Sequence, residues 1–451
     1  MEFVKLKTLC EFEKGSTGLA KAEPGDYPLV TTGAERKTCN TFQFDNKAVC
    51  IPLVSSTGHG HASLKNVHYQ EGKFGLGSIL VALTSKDGNR LDIQFLHLYL
   101  FQLKDQVLVP LMSGAANVAL SVKKIQDIKI PLPSISQQRE IVQRFKSIVI
   151  EEDELKTELT HQQTLLKKLR QQILQEAIEG KLTAEWRVQN PDVEPASELL
   201  KRIAAEKAQL VRDRKIKLGK KQPASEHYND EISVPDVWVH PDLEDITQYI
   251  TDGTHQTPNY TVSGRIFLSA QNVKPFRFMP ENHRFVSESA YENYIKNKSV
   301  EKDDLLIGRV GAGIGETAVV DIDIECAIYV SLGLVKTFKK HTNSDYLAIV
   351  FNSPYGIRYS KGNISSGGGS AGNFNLGRIR SFKIPLPSRD EQKAIVTKVE
   401  KLLAFCDQLE IQITQNQAHA EELMQAVLKE AFSHDSEADS PLAELKAAAH
   451  A

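Results

Sequence analysis

An internal repeat is the feature of this sequence that most limits how the chain can fold. The segment KIPLPS occurs twice, at residues 129–134 and again at residues 383–388. The match continues without a gap, and residues 129–178 share 18 of 50 aligned positions with residues 383–432. Repetition at this level indicates two copies of one structural unit.

Each copy predicts a long helix that begins just after a proline-rich segment. The prolines of KIPLPS disfavour a helix at that point, and Ser134 and Ser388 are suitable residues to start one. No glycine or proline follows before Gly180 in the first copy, or before Ser433 in the second. Roughly 45 helical residues would span about 65 Å.

Apolar residues follow a heptad pattern along both predicted helices. Positions 155, 159, 162, 166, 169 and 173 hold Leu, Leu, Gln, Leu, Leu and Ile, and the second copy has Leu409, Ile413, Asn416, Ala420, Leu423 and Val427. One buried amide in each helix is a known way to fix register, so we interpret the helices as partners of each other. Alternatively, each helix packs only on its neighbouring globular region.

Strand-like alternation and turn-forming residues predict two globular heads between the repeats. The sequence thus divides into a first head (1–127), a first repeat helix (128–182), a linker (183–234), a second head (235–382), a second repeat helix (383–432) and a tail (433–451) that we expect to be flexible. The linker contains a predicted helix at 196–214 and a basic run of Arg212, Arg214, Lys215, Lys217, Lys220 and Lys221. This run is interpreted as a solvated face or as a contact for DNA phosphates.

Composition limits the classes of protein to which the chain can belong. Of 451 residues, 25% are charged and 41% are hydrophobic, which is typical of a globular protein and excludes a disordered or fibrous one. We expect a soluble, cytoplasmic chain, because no apolar stretch is long enough to cross a membrane. The five cysteines show no metal-ligand spacing and are expected to be reduced thiols. The net charge of −2 gives no sign of a nucleic-acid partner.

The common signatures of catalysis are missing from the sequence. The GRVGAGIGET stretch (308–317) lacks the spacing of a phosphate-binding loop and predicts a strand, a turn and a second strand. His59 and His61 have no evident third metal ligand. No GxSxG, HExxH or [DN]PP[YF] segment occurs. We therefore expect a binding protein that is not an enzyme by itself.

The layout resembles the specificity subunit of a type I restriction-modification system. The resemblance is carried by the duplicated KIPLPS with its EIV or AIV helix, by QQILQEAIEGKLTAEW (171–186), SELLKRIAAEK (197–207), TDGTHQTPNY (251–260) and FLSAQNV (267–273). It covers nearly the whole chain. It implies an α+β fold with two target-recognition domains joined by two long antiparallel helices, a coiled-coil spacer with internal pseudo-two-fold duplication.

The resemblance also implies function and partners. Each recognition domain would read one half of a bipartite target in double-stranded DNA, and the helix pair would set the spacing. Two copies of a methyltransferase subunit would use S-adenosylmethionine to methylate adenine N6. Motor and nuclease subunits would use ATP and Mg²⁺, and this chain would itself hold no cofactor or metal.

Polar loop residues are the candidates for DNA contact, because side chains that read base edges need hydrogen-bonding groups. In the first head they are Lys14, Ser55, Ser56, Thr57, His59, Lys65 and Asn117. In the second they are Thr254, His255, Gln256, Asn259, Gln271, Asn272, Arg309 and Asn373. Each of these residues is also typical of an ordinary turn. The main alternative function is a coiled-coil scaffold that joins two protein partners without binding nucleic acid.

Overall fold

A computed structural model of the protein describes residues 2–18, 22–57, 60–115, 118–223, 232–296, 298–365 and 372–433. Contacts group the chain into two units, residues 1–160 with 414–451 and residues 161–413. Each unit therefore holds one head together with part of each long helix. Among the described residues, no helix has an apolar stretch long enough to cross a membrane.

The described residues up to 132 contain ten strands and four short α-helices. The strands are β1 (Glu2–Lys5), β2 (Cys10–Lys14), β3 (Tyr27–Val30), β4 (Lys37–Cys39), β5 (Phe44–Asp45), β6 (Ala48–Pro52), β7 (His68–Gln70), β8 (Lys73–Leu76), β9 (Leu80–Ser85) and β10 (Lys129–Leu132). The helices are α1 (Leu6–Leu9), α2 (Ile93–Gln102), α3 (Lys104–Val107) and α4 (Val122–Gln126), and the long helix α5 (Ile135–Ile178) follows. Two four-stranded sheets form, in the orders β2-β9-β6-β7 and β4-β3-β8-β5.

The second unit continues from α5 through the linker and the second head. Its helices are α6 (Ala184–Gln189), α7 (Ala196–Arg212), α8 (Glu288–Tyr294), α9 (Ser344–Asn352), α10 (Pro354–Gly362), α11 (Leu376–Arg380) and the long α12 (Arg389–Ser433). Its strands are β11 (Thr247–Asp252), β12 (Tyr260–Thr261), β13 (Arg265–Leu268), β14 (Val273–Lys274), β15 (Arg277–Phe278), β16 (Arg284–Val286), β17 (Leu305–Gly308), β18 (Thr317–Val319), β19 (Cys326–Ile328), β20 (Leu332–Thr337), β21 (Ile364–Ser365) and β22 (Asn373–Phe374).

The two heads share the strand order of one sheet and the pairing of three strands in the other. The antiparallel sheet β11-β20-β17-β18 of the second head repeats the order β2-β9-β6-β7 of the first. In the other sheet, β3 runs parallel to β8 and β13 runs parallel to β19, while β4 and β16 pair antiparallel on the far side. The duplication that the repeat predicted therefore extends through both heads, where the sequence shows little similarity.

Both long helices begin directly after the serine of KIPLPS, as predicted. The N–H of Gln137 donates to the Ser134 hydroxyl at 3.4 Å, and the N–H of Glu391 donates to the Ser388 hydroxyl at 3.2 Å. These bonds satisfy amides that a helix leaves free in its first turn.

A fully buried glutamine attaches the start of each long helix to its head. Gln138 Oε1 accepts from the N–H of Asp92 at 2.8 Å, and its Nε2 donates to the carbonyls of Arg90 and Pro133. Asp92 is also the residue that caps α2. We call this set of three hydrogen bonds the glutamine clamp of the first unit.

The second unit has the same clamp. Gln392 Oε1 accepts from the N–H of Asn343 at 2.9 Å, and its Nε2 donates to the carbonyls of His341 and Pro387 at 3.5 and 3.2 Å. Asn343 caps α9 as Asp92 caps α2. Both clamp glutamines are 0% exposed.

The two long helices are antiparallel where they meet in the second unit, which confirms the expected arrangement. Arg170 of α5 donates to Asp407 and Glu410 of α12 at 2.6 and 2.9 Å. Beyond the end of α5, Arg187 pairs with Glu391 in the first turn of α12. Residue numbers thus rise along one helix as they fall along the other.

The buried positions of the helices differ from the predicted heptad. Leu159, Leu166 and Ile173 are buried in α5, but Leu155 and Leu169 are 41% and 43% exposed, which corrects their assignment to the apolar seam. In α12, Val399, Cys406 and Ile413 are buried at the same spacing of seven residues. A spacing of seven residues leaves only a narrow covered stripe, so the flanking positions of each heptad lie in solvent.

The predicted buried amides of the seam are also corrected. Asn416 is exposed and Gln162 is only half-buried, while the side chains of Ala420, Leu423 and Val427 lie outside the described residues. The buried amides belong instead to Gln138 and Gln392, where helix and head meet.

The linker helix α7 packs on the second head. Leu199 and Ile203 are fully buried, and the ammonium of Lys207 donates to the carbonyls of Glu244 and Thr247. Burial lowers the pKa of Lys207, against the opposing effect of the Glu244 carboxylate. Because this contact is both apolar and polar, α7 is part of the second unit.

Candidate nucleic-acid interface

The predicted contact residues of the second head surround the end of β11. Asp252 is the last residue of β11. Thr254 then lies alongside β19, where its N–H donates to the Ile328 carbonyl and its carbonyl accepts from the Val330 N–H. Gly253 lies so close to this strand that a Cβ would approach Ile328 O within 2.0 Å. The chain then leaves the sheet, and His255, Gln256 and Asn259 are exposed.

A buried ion pair lies beneath this exposed segment. Arg309, only 4% exposed, donates from Nη1 to Asp252 and to the Val330 carbonyl, and from Nε to the Phe374 carbonyl at 3.0 Å. Burial lowers the pKa of Arg309 while the Asp252 carboxylate opposes the shift. The guanidinium is therefore enclosed by protein partners.

Two of the predicted residues, His255 and Arg309, contact Asp252, and three more, Thr254, Gln256 and Asn373, lie close by. His255 Nε2 lies 3.2 Å from Asp252 Oδ2, and Arg309 Nη2 donates to Asn373 Oδ1 at 3.4 Å. Thr254 Oγ1 accepts from the Gln256 N–H at 3.2 Å. Arg309 and Thr254 are buried, so they support the loop, whereas the side chain of His255 is 71% exposed and available to a ligand.

Gln271 and Asn272 lie together but face different surroundings. Gln271 is exposed and its amide lies 3.4 Å from the Asn282 carbonyl. Asn272 is 0% exposed, accepts from the Ser269 N–H, and donates to the carbonyls of Met279 and Asn282. Gln271 can reach a ligand from the surface, and Asn272 holds the turn together.

In the first head, the predicted hydroxyl residues organise one turn. Ser55 Oγ donates to the His61 carbonyl at 2.6 Å and accepts from the Ser63 N–H, and Thr57 Oγ1 donates to the same His61 carbonyl. Ser56 Oγ accepts from the Lys65 N–H at 2.9 Å. Lys14 and Lys65 are exposed, and His59 and Asn117 lie outside the described residues.

The shared topology allows the two heads to be compared position by position. Lys14 pairs with Val81 at the end of β2, and Asp252 pairs with Gly333 at the end of β11, so a lysine and an aspartate occupy the same place. Leu53 and Arg309 also correspond, because their carbonyls accept from the N–H of Leu120 and Phe374, each at 2.9 Å. The heads thus place different side chains on one framework.

Sequence reasoning missed an exposed arginine beside the second-head loop. The guanidinium of Arg284 lies 4.5 Å from the ring centroid of Tyr260, and both side chains are exposed. Strand pairing of β12 with β16 brings them together. Tyr260 ends the TDGTHQTPNY segment, but nothing local in the sequence marks Arg284.

Arg265, on the neighbouring strand β13, is a useful contrast with Arg284. It pairs with both Glu288 and Glu325, and these carboxylates raise its pKa. Its charge is therefore neutralised by the protein. Within the described ranges, Arg284 forms no ion pair with a carboxylate, so its charge is available to a phosphate.

The basic run of the linker is partly neutralised. Lys221 pairs with Asp242 and Asp245 at 2.6 and 2.8 Å, and Lys215 lies 3.8 Å from Asp213. Arg214, Lys217 and Lys220 are exposed. Contact between this run and DNA stays a prediction.

The glycine-rich stretch forms the predicted strand, turn and strand. Ile307 of β17 pairs with Thr317 of β18, and a Cβ on Gly308 would approach Gly313 O within 2.4 Å. Within the described ranges, no group of three or more His, Cys, Asp or Glu side chains is arranged to hold a metal ion, and all five cysteines are buried free thiols.

Solved structures share the fold of this chain. A chain in a structure of the type I R-M system has a TM-score of 0.59 at 16% identity, covering 96% of this chain and 98% of that chain. The HsdS subunit from Thermoanaerobacter tengcongensis has a TM-score of 0.57 at 16% identity, covering 96% and 97%. The architecture is thus that of the specificity subunits of type I systems.

The sequence places the chain in the same group. The family described as type I restriction modification DNA specificity domain matches residues 1–163 and 238–416, so the chain belongs to this family. The EcoAI specificity subunit of Escherichia coli is 32% identical over 298 residues, 58% of this chain and 44% of that subunit. The EcoDI specificity subunit of Escherichia coli is 23% identical over 443 residues, 95% and 87% of the two chains. The alignments with EcoAI and three further relatives span 43% to 61% of those relatives.

Proposed function

We propose that this chain is the specificity subunit of a type I restriction-modification system and reads a bipartite target in double-stranded DNA. The observation that carries the proposal is that the two heads contain a sheet of the same strand order with different side chains at matching positions, such as Lys14 and Asp252. A common framework presents its loops to DNA in the same way, and different side chains on it select different bases.

The long helices set the distance between the two half-sites. Positions on one side of a DNA duplex recur about every 34 Å, so heads held at a fixed separation engage half-sites with a fixed gap. The 44 residues of α5 span about 66 Å at about 1.5 Å per residue, which is of the size needed for such a spacer.

Partner subunits supply the chemistry in this proposal. Two methyltransferase subunits, one for each repeat, transfer a methyl group from S-adenosylmethionine to adenine N6, and motor and nuclease subunits use ATP and Mg²⁺. The complex acts in the cytoplasm. A chain with a net charge of −2 binds the phosphate backbone weakly alone, and a methyltransferase subunit completes the positive surface around the DNA.

Selection of duplexes from a random library tests the proposal directly. The chain is purified in complex with its methyltransferase subunit, and bound duplexes are recovered and sequenced over several rounds. We expect enrichment of two short half-sites separated by a fixed number of unspecified base pairs. A stable complex that enriches no sequence would contradict the proposal and favour a scaffold that joins protein partners.

A further inference from the structure

The two glutamine clamps repeat one set of contacts in the two units. In each, one side-chain amide accepts from the N–H of a helix-capping residue and donates to two carbonyls, one of them from the proline of KIPLPS. The partners Asp92 and Asn343 differ in type but use the same backbone atom. The residue before each glutamine differs, Gln137 in one copy and Glu391 in the other, whereas the glutamine itself is the same in both.

We propose that Gln138 and Gln392 are positioning residues that fix the gap length of the DNA target by setting the angle at which each long helix leaves its head. This inference rests on the proposed function and deepens it. Neither side chain contacts DNA in this account, because both are 0% exposed.

Other polar contacts at the start of the long helices differ between the two units. Lys146 of α5 donates to Gln94 at 2.8 Å, whereas Trp238 donates to Glu391 of α12 at 2.9 Å. Ile141 and Val142 of α5 pack on the core of the first head, and Ile395 and Val396 of α12 are buried. Apolar contact is non-directional and tolerates small rotations. Hydrogen bonds to three backbone groups have preferred directions and lengths, so a rotation of the helix would strain them.

A small change in the angle between helix and head is enough to shift a head by one base pair. A tilt of about 3° at one end moves the other end of a helix about 65 Å long by about 3.4 Å, the rise of one base pair. A loosened clamp therefore lets a head reach a half-site one base pair nearer or farther. The identity of the bases that the head reads is not affected.

The test measures methylation rates on duplexes that carry both half-sites at the native gap or at a gap changed by one or two base pairs. Gln138→Met and Gln392→Met are compared with the wild-type chain, each in complex with the methyltransferase subunit. Methionine keeps the length and approximate volume but makes none of the three hydrogen bonds. The exposed glutamines Gln143 of α5 and Gln408 of α12, changed to methionine, are the matched controls.

We expect the preference for the native gap over a gap changed by one base pair to fall by about tenfold or more in each clamp variant, since buried hydrogen bonds are lost. The preference for the half-site sequences stays at the wild-type value, and both control variants keep the native gap preference. A variant that methylates both half-sites is necessarily folded, which separates positioning from simple unfolding.

Two outcomes would overturn the proposal. One is an unchanged gap preference in a clamp variant whose thermal stability is reduced, because the glutamine would then be structural only. The other is loss of methylation at every gap in both the methionine variants and in Gln138→Asn and Gln392→Asn, which keep an amide. If the wild-type complex itself methylates no bipartite target, the proposed function fails rather than the role of the clamps.

Discussion

The guanidinium of Arg309 pairs with the carboxylate of Asp252 beneath the exposed segment that starts at His255. Their side chains are only 5% and 8% exposed. Two charges that deep are held in place by each other and by the carbonyls around Arg309. The pair thus fixes the end of β11, from which the second-head loop departs.

Removing one member of this pair is expected to destabilise the second head strongly. Arg309→Met leaves the Asp252 carboxylate buried without its main partner, and such changes cost about 3–5 kcal/mol in the free energy of unfolding. Denaturant unfolding of the variant measures this loss. Arg265→Met, which removes a half-buried arginine with two solvent-exposed carboxylate partners, is the control and should change stability little. Equal losses of unfolding free energy in the two variants would show that the buried pair stabilises the head no more than a surface pair does.

Stability of the first unit is expected to depend on pH through His68. Burial, followed by the charges of Arg36 and His97, lowers the pKa of His68 from 6.5 to about 4. Between these values the unfolded chain binds a proton that the folded chain does not. The stabilisation is therefore present above about pH 6.5 and is lost as the pH falls towards 4.

Between pH 7 and pH 5, protonation of His68 in the unfolded chain is expected to lower the free energy of unfolding by about 2 kcal/mol. Unfolding free energies of the wild-type chain and of His68→Gln at the two pH values measure it, and the variant should lose about 2 kcal/mol less. His61→Gln, at an exposed histidine of the same head, serves as the control. An identical pH dependence of His68→Gln and the wild-type chain would refute the assignment.

Arg284 is expected to contact a DNA phosphate. Binding of the complex with its methyltransferase subunit is measured against salt concentration for Arg284→Ala and for Arg265→Ala. Loss of one phosphate contact lowers the slope of log affinity against log salt by about 0.9. Arg284→Ala should show this change with half-site preference intact, and Arg265→Ala should not, because its charge is already paired. A wild-type slope in Arg284→Ala would remove this residue from the interface.

Local chemistry made some features predictable from the sequence. The prolines and serine of KIPLPS fix where a helix can begin, and Gly180 ends α5 with a φ of +71° that favours glycine. The strand, turn and strand of residues 308–317 followed from glycine spacing. In each case the deciding interactions lie within a few residues of one another.

Features that depend on distant partners were not predictable in this way. Gln138 and Gln392 occupy the same position of the repeat. The N–H groups from which they accept, those of Asp92 and Asn343, lie 46 and 49 residues away in the sequence. The heptad assigned Gln162 and Asn416 to a buried seam, because spacing alone does not show which positions a partner helix covers. Arg309 was chosen as an exposed contact, since its glycine-rich surroundings are typical of a loop and Asp252 is 57 residues away.

The central claim is that this chain directs methylation to a two-part DNA target. It is tested most directly by co-expressing the chain with its methyltransferase subunit in cells and mapping N6-methyladenine across the genome by single-molecule sequencing. One bipartite motif is expected, with two specific halves and an unspecified gap of constant length. A stable complex of the two proteins that produces no new methylation would contradict it.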